Sequence, residues 1–159
     1  MTDLRAQPLT AAAFAPFGEV IETGGPFVTI NEGACRRYTD LARFDIVDGR
    51  HGLSLFAAEI RALPYECGLL ERHPLGSQCF IPMQGARFLI IVAPDEGGAP
   101  GTPVAFVAED HQSVNIARNT WHGVLCPIAG SGLFAVIDRI GEGGNLEEHR
   151  LGRPIRVTA

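Results

Sequence analysis

Hydrophobic and polar positions alternate in short blocks along most of this chain, and few blocks have the length or period of a helix. Strand-length segments run over 53–60, 66–73, 78–81, 87–93, 104–108, 114–116, 122–126 and 133–140. They are broken by Leu63-Pro64, Pro74, Pro82 and the turn-rich stretch 94–103. The exception is 9–15, where Thr10 caps one or two helical turns that Pro16 ends. Phe14 and Phe17 pin that helix to the body, and Gly18 releases the chain into a strand over 19–21. From Gly141 the tail is polar and glycine-rich, then extended. Many short strands with turns between them predict an all-β antiparallel barrel or sandwich rather than alternating βαβ units. With no repeat or linker, residues 1–159 form a single domain.

Composition narrows the partners. Eighteen acidic against 13 basic residues give a net charge of -5, and no run of Lys or Arg forms a basic patch. That argues against a nucleic-acid surface and against an anionic membrane surface. The longest apolar run, 88–93, is too short to cross a bilayer. The opening residues, Met1 to Arg5, lack the apolar stretch of a signal peptide, so a cytoplasmic location is expected. Cys35, Cys67, Cys79 and Cys126 form no C-x-x-C pair or zinc-finger spacing, and are read as reduced, mostly buried thiols.

Three segments carry candidate chemistry. In Glu71-Arg72-His73-Pro74-Leu75-Gly76-Ser77-Gln78, strand alternation sends Glu71 and His73 to one face. If that face is interior, a carboxylate and an imidazole enter together, as a hydrogen-bonded pair or a site; on an edge strand both face solvent. The second segment runs from Val114 and Asn115 through Arg118 to Trp121-His122. It offers a bidentate arginine, an apolar wall and a titratable imidazole, or else a packing tryptophan and a surface arginine. In the third, Asp138 falls on the face of Phe134 and Val136, where it either orients a site histidine or arginine or pairs with Arg139, and the pair is favoured. His51, His111 and His149 lie in polar contexts and are read as solvated. Tyr38 and Arg36-Arg37 fit no assigned element.

Together these segments resemble the ureidoglycolate lyase family. The match begins at Leu9-Thr10-Ala11-Ala12-Ala13-Phe14-Ala15-Pro16-Phe17-Gly18-Glu19-Val20-Ile21 and continues through the E-R-H-P-x-x-x-Q string ending at Gln78. Phe80-Ile81-Pro82, Arg87-Phe88-Leu89, Val114-Asn115, Trp121-His122 and Val136-Ile137-Asp138-Arg139 complete it over nearly the whole chain. The resemblance implies a cupin-like antiparallel β-barrel with a short N-terminal helix, a cytoplasmic homodimer, and a role in allantoin breakdown within purine metabolism. It implies a carbon–nitrogen lyase that eliminates urea from ureidoglycolate to give glyoxylate. No cofactor is required on this reading, although nickel or another divalent metal stimulates some members; a weak site of His73, His122, Glu71 and Gln78 is the place for it. Three departures stand out: Ile116 where tyrosine is common, Gly123 where a second histidine often follows, and Leu146 in place of a frequent cysteine.

Cleaving a carbinolamide that carries a carboxylate needs a base for the hydroxyl proton, an acid for the departing nitrogen and a cation for the carboxylate. His73 or His122, oriented by Glu71, is assigned as base and the other as acid. Arg72 or Arg118 holds the carboxylate, Gln78 and Asn115 bind the urea amide, and Trp121 supplies the wall. Arg72 is the weaker choice, because alternation points it away from His73. The alternatives are a metal-dependent cupin oxygenase or isomerase using the same ligands, and a non-catalytic cupin that binds a small acid.

Overall fold

The structure is a computed structural model that describes residues 2–159, so Met1 lies outside the described residues. It is an all-β, cupin-like fold of two main sheets and two small hairpins, with one short α-helix, Ala11–Phe14, among the described residues. The larger sheet has eight strands. Its order is Thr2–Arg5, Glu147–Thr158, Tyr65–Arg72, Trp121–His122, Arg87–Ala93, Val104–Ala108 and Gln7–Pro8, with Cys126–Ala129 also paired to Arg87–Ala93. Its two outermost strands are separated in sequence only by Ala6, whose N–H reaches the Thr158 carbonyl at 2.7 Å. One pass of chain therefore joins both edges and curls the sheet into a nearly closed barrel. Thr2–Arg5 and Gln7–Pro8 both pair parallel with their neighbours, which departs from the wholly antiparallel expectation. A single closing segment has to follow whatever directions the two edge strands already have.

The smaller sheet is antiparallel, in the order Gly18–Ile21, Ser113–Ile116, Gln78–Pro82, Leu133–Ile140 and Arg50–Ala57. Between the sheets, Phe80, Val114, Phe134 and Val136 meet Phe88, Ile90, Val92 and Phe106. Phe88 and Phe134 are 5.0 Å apart, edge to face. Inside the curl of the larger sheet a second core gathers Cys67, Leu70, Leu89, Ile91, Trp121, Ile155 and Val157. Arg87–Ala93 feeds both cores from its two faces, and this is why its sequence is an unbroken apolar run.

The N-terminal signals act as read. The Thr10 hydroxyl accepts from the Ala13 N–H at 3.2 Å, and Phe14 is fully buried. Gly18 sits at φ +153°, where a Cβ would overlap the Asn115 carbonyl oxygen, so the two strands approach this closely only with glycine. The strand expected over 122–126 is instead two pieces, Trp121–His122 and Cys126–Ala129. Residues 123–125 lift away between them, and the Gly123 N–H still reaches the Ile91 carbonyl at 2.8 Å. The unassigned 36–38 region begins in a small hairpin, Val28–Ile30 against Cys35–Arg37. The stretch 94–103 contains a two-residue hairpin of its own. No helix is long and apolar enough to cross a membrane among the described residues.

Candidate active site

The pairing of Tyr65–Arg72 with Glu147–Thr158 shifts register between Arg150 and Ile155. Cys67 and Leu70, three residues apart, consequently both face the barrel interior, and Glu71 is turned to the opposite face. There its register partner is His122, whose other neighbour is Val92 of the core between the sheets. His122 therefore points into the space between the sheets, 2% exposed. His73, one residue past the strand, brings its ring to 5.2 Å from that of His122. One ligand atom each from Glu71, His73 and His122 lies within 4.8 Å of the others.

Hydrogen bonds fix how these rings present themselves. His73 Nδ1 is 2.7 Å from the Asn145 carbonyl and His122 Nδ1 is 3.1 Å from the Gly123 carbonyl. A carbonyl can only accept, so in each neutral ring Nδ1 carries the hydrogen and Nε2 keeps a bare lone pair. Both Nε2 atoms are buried and unpartnered. The Asn145 side chain secures this loop as well, accepting from the Leu75 N–H at 2.6 Å. Burial, with some help from His73, pushes His122 down to about 4, so it is neutral at neutral pH. Burial raises the Glu71 carboxyl, Glu148 adds to the rise, and His73 partly offsets it.

Gln78 lies on the inner face of the smaller sheet, next to Ile116 of the same core. Its Nε2 donates to Asp138 Oδ2 at 3.2 Å, and its Oε1 is buried without a partner. Two imidazole nitrogens and a carboxylate are all lone-pair donors, a triad of a kind that suits a divalent transition metal. Asp138 does not pair with Arg139 as expected. Arg139 donates instead to the carbonyls of Val47, Asp48 and Glu142, at 3.0, 2.7 and 2.6 Å.

The other expected site residues lie elsewhere. Arg72 and Trp121 each follow or precede a site residue in an extended strand, which sends them to the opposite face. Arg72 lies over the Trp121 ring at 4.6 Å and is tied to Asp95 and Glu147, and Trp121 Nε1 donates to Asp95 at 2.9 Å. Asn115, between core residues Val114 and Ile116, faces out of the smaller sheet, away from Gln78. It donates to Glu19 at 2.7 Å and to the Arg43 carbonyl at 3.0 Å. Arg118 pairs with Asp45 at 3.0 Å. Asn115 and Arg118 line a surface cleft of about 350 Å³ that does not include Glu71, His73 or His122. A cleft of about 520 Å³ by the N-terminal strands is likewise separate from them. His51 and His111 are exposed, whereas His149 is half-buried, 5.8 Å from the Trp121 ring. Asn145 and Glu148 went unnoticed in the sequence because both lie in a polar, glycine-rich stretch with no apolar period to orient them.

A sequence model described as ureidoglycolate lyase matches residues 1–158. The ureidoglycolate lyase of Rhodobacter capsulatus is 52% identical, covering 99% of each chain. Ureidoglycolate lyase 2 of Rhizobium meliloti is 49% identical over 99% of this chain and 98% of its own. The ureidoglycolate lyase of a Chelativorans species is 46% identical over 99% and 97%. With the family model spanning the chain and relatives this similar over their full lengths, the chain belongs to the ureidoglycolate lyase family.

Proposed function

We propose that this protein is a carbon–nitrogen lyase that splits ureidoglycolate into glyoxylate and urea. The observation that carries the reading is the pair of buried, unpartnered Nε2 atoms on His73 and His122, whose rings lie 5.2 Å apart in a cluster with the Glu71 side chain. In the elimination the carbinol O–H loses its proton, the C–N bond breaks as the carbonyl forms, and the urea nitrogen gains a proton; nothing is oxidised or reduced. His122, held proton-free by burial, takes the hydroxyl proton on Nε2. His73, less buried, acts in its doubly protonated form: Nδ1–H stays on the Asn145 carbonyl and the Nε2 proton passes to the departing nitrogen, while the proton taken up by His122 returns the pair to its starting state through solvent. Glu71 stands beside both rings and stabilises whichever is positively charged. The Gln78 amide oxygen receives an N–H of the ureido group. Arg72 and Arg118 are engaged with carboxylates away from this cluster, which supports giving them structural roles.

A divalent metal, nickel among them, stimulates the reaction on this reading and is not obligatory. Held by His73, His122, Glu71 and Gln78, it would occupy the Nε2 lone pairs in place of protons and supply positive charge for the substrate's carboxylate and hydroxyl oxygens instead. We place the protein in the cytoplasm, a reading supported by four cysteines that are all free. We also take it to act as a homodimer. Support comes from the free edge strand Arg50–Ala57, where Leu53 and Leu55 are 70% and 65% exposed.

The test of the site is glyoxylate formation by His73→Ala and His122→Ala, corrected for spontaneous decomposition of the substrate. Each should lose about 100-fold or more in turnover, the scale of a positioned acid or base, with the circular dichroism unchanged. Near-normal turnover in both variants sinks the assignment of the chemistry to this cluster.

A further inference from the structure

We propose that Asp138 is a positioning residue that acts through Gln78, holding its amide so that the carbonyl oxygen faces the Glu71, His73 and His122 cluster; the kinetic part of this rests on the lyase reading above. Asp138 stands on Leu133–Ile140, on the same face as Phe134 and Val136 of the core between the sheets. A carboxylate in that position is costly to bury without a partner. Its partner is the Gln78 Nε2 group, at 3.2 Å. Gln78 is only 7% exposed and points into the space that His122 enters from the opposite sheet.

The two ends of an amide are nearly the same size, so its orientation is decided by its hydrogen-bond partners. An ionised carboxylate offers only acceptors. It therefore commits the NH2 end of Gln78 to Asp138 and leaves Oε1 on the other side, buried and unpartnered. The cluster then contains lone pairs alone: two imidazole nitrogens, a carboxylate and this oxygen. With the amide reversed, an NH2 group would stand among them and would oppose both a ureido N–H and a metal ion. The negative charge of Asp138 thus sets the polarity of a residue one step closer to the reacting atoms.

Asp138→Asn keeps the shape and removes this command, because an asparagine can offer either an acceptor or a donor to Gln78. The expected result is a loss of about tenfold in kcat/KM, the scale of one lost charge-assisted hydrogen bond. Gln78→Ala should lose at least as much, and adding Asp138→Asn to Gln78→Ala should cost nothing more. Additive losses, or an unchanged kcat/KM in Asp138→Asn, overturn the proposal. A second readout is independent of turnover. In 15N-labelled protein the Gln78 side-chain NH2 signals, identified by their disappearance in Gln78→Ala, should exchange slowly with solvent. In Asp138→Asn they should exchange quickly or split into two sets. Fast exchange in the wild-type protein overturns the proposal even if Asp138→Asn fails to fold, and slow exchange there supports it. If the wild-type protein does not cleave ureidoglycolate, the lyase reading fails while the NH2 signals still decide the role of Asp138.

Discussion

His122 is the residue whose surroundings constrain the chemistry most. Burial and His73 push its imidazole from the ordinary 6.5 down to about 4. Between those two values the unfolded chain binds a proton that the native protein does not, so this group's contribution to stability is whole above 6.5 and is lost as the pH falls towards 4. Glu71 works in the opposite sense, because its raised carboxyl keeps a proton to higher pH in the native state than in the unfolded one. Its contribution is present at low pH and lost as the pH rises. In a Glu71→Gln background the opposing carboxyl is gone, and the histidine effect leads until Glu109, held low by its hydrogen bonds to Arg87, adds its own loss at the acid end. Urea titrations there should show stability falling from pH 6.5 to pH 4 by up to a few kcal/mol, at about 1.4 kcal/mol per unit of pKa shift. Adding His122→Phe should flatten that slope, and a slope that survives the replacement contradicts the assignment. Metal dependence belongs at this scale as well. Protein stripped with a chelator should retain measurable turnover, and added Ni²⁺ should raise it in the wild type but not in His73→Ala. Complete and reversible loss on stripping, with iron or manganese recovered near one per chain, favours a metal-dependent cupin instead.

Among the elements, Leu133–Ile140 shows how one strand serves structure and site together. Asp138 turns inward to Gln78. Arg139, on the other face and 8% exposed, gathers three backbone carbonyls from the 47–48 loop and from Glu142. Arg139→Ala should lower stability by about 2–3 kcal/mol, from burying carbonyls that have lost their donor, while kcat/KM falls far less than in the histidine variants. A loss of turnover equal to theirs, at unchanged stability, would place Arg139 in the site. Strands were legible in the sequence where an apolar period met a proline or glycine stop, as for Arg87–Ala93, Val104–Ala108 and Leu133–Ile140. Glu147–Thr158 was legible only as an extended tail. Its Gly152 and Pro154 fall in the register irregularity, and charged residues occupy much of its exposed face. Thr2–Arg5 and Gln7–Pro8 carry no apolar run at all, since their role is to close edges rather than to fill a core. Within the site, Glu71, His73 and His122 were legible because neighbouring strands bring them together. Asn115 was grouped with Gln78 in error: adjacent strands place Gln78 beside Ile116, not Asn115, and one step along a strand reverses the face.

At the scale of the whole molecule, two cores divide the work. The curled sheet is filled by its own interior, mostly aliphatic with Trp121 among it. The space between the sheets is filled by aromatic side chains over most of its length, and Glu71, His122, Gln78 and Asp138 share that side of their sheets. The apolar packing supplies the low-polarity surroundings that keep His122 neutral. The free edge of the smaller sheet gives a further expectation: sedimentation should show a dimer, and Leu53→Glu with Leu55→Glu should shift it to monomer. A wild-type monomer would rule the homodimer out. The central claim is that the bond broken is the one between the carbinol carbon and the ureido nitrogen. Elimination needs proton transfers and a positive charge to hold the carboxylate, whereas attack on the ureido carbonyl needs an activated water, usually supplied by a firmly bound metal. The most direct measurement is therefore the ratio of urea to glyoxylate released from ureidoglycolate, with ammonia followed in parallel and a control without protein. Equal amounts of urea and glyoxylate, with no early ammonia and a rate well above the control, are the predicted result. Ammonia rising in step with glyoxylate, without urea, would contradict it and identify a hydrolase.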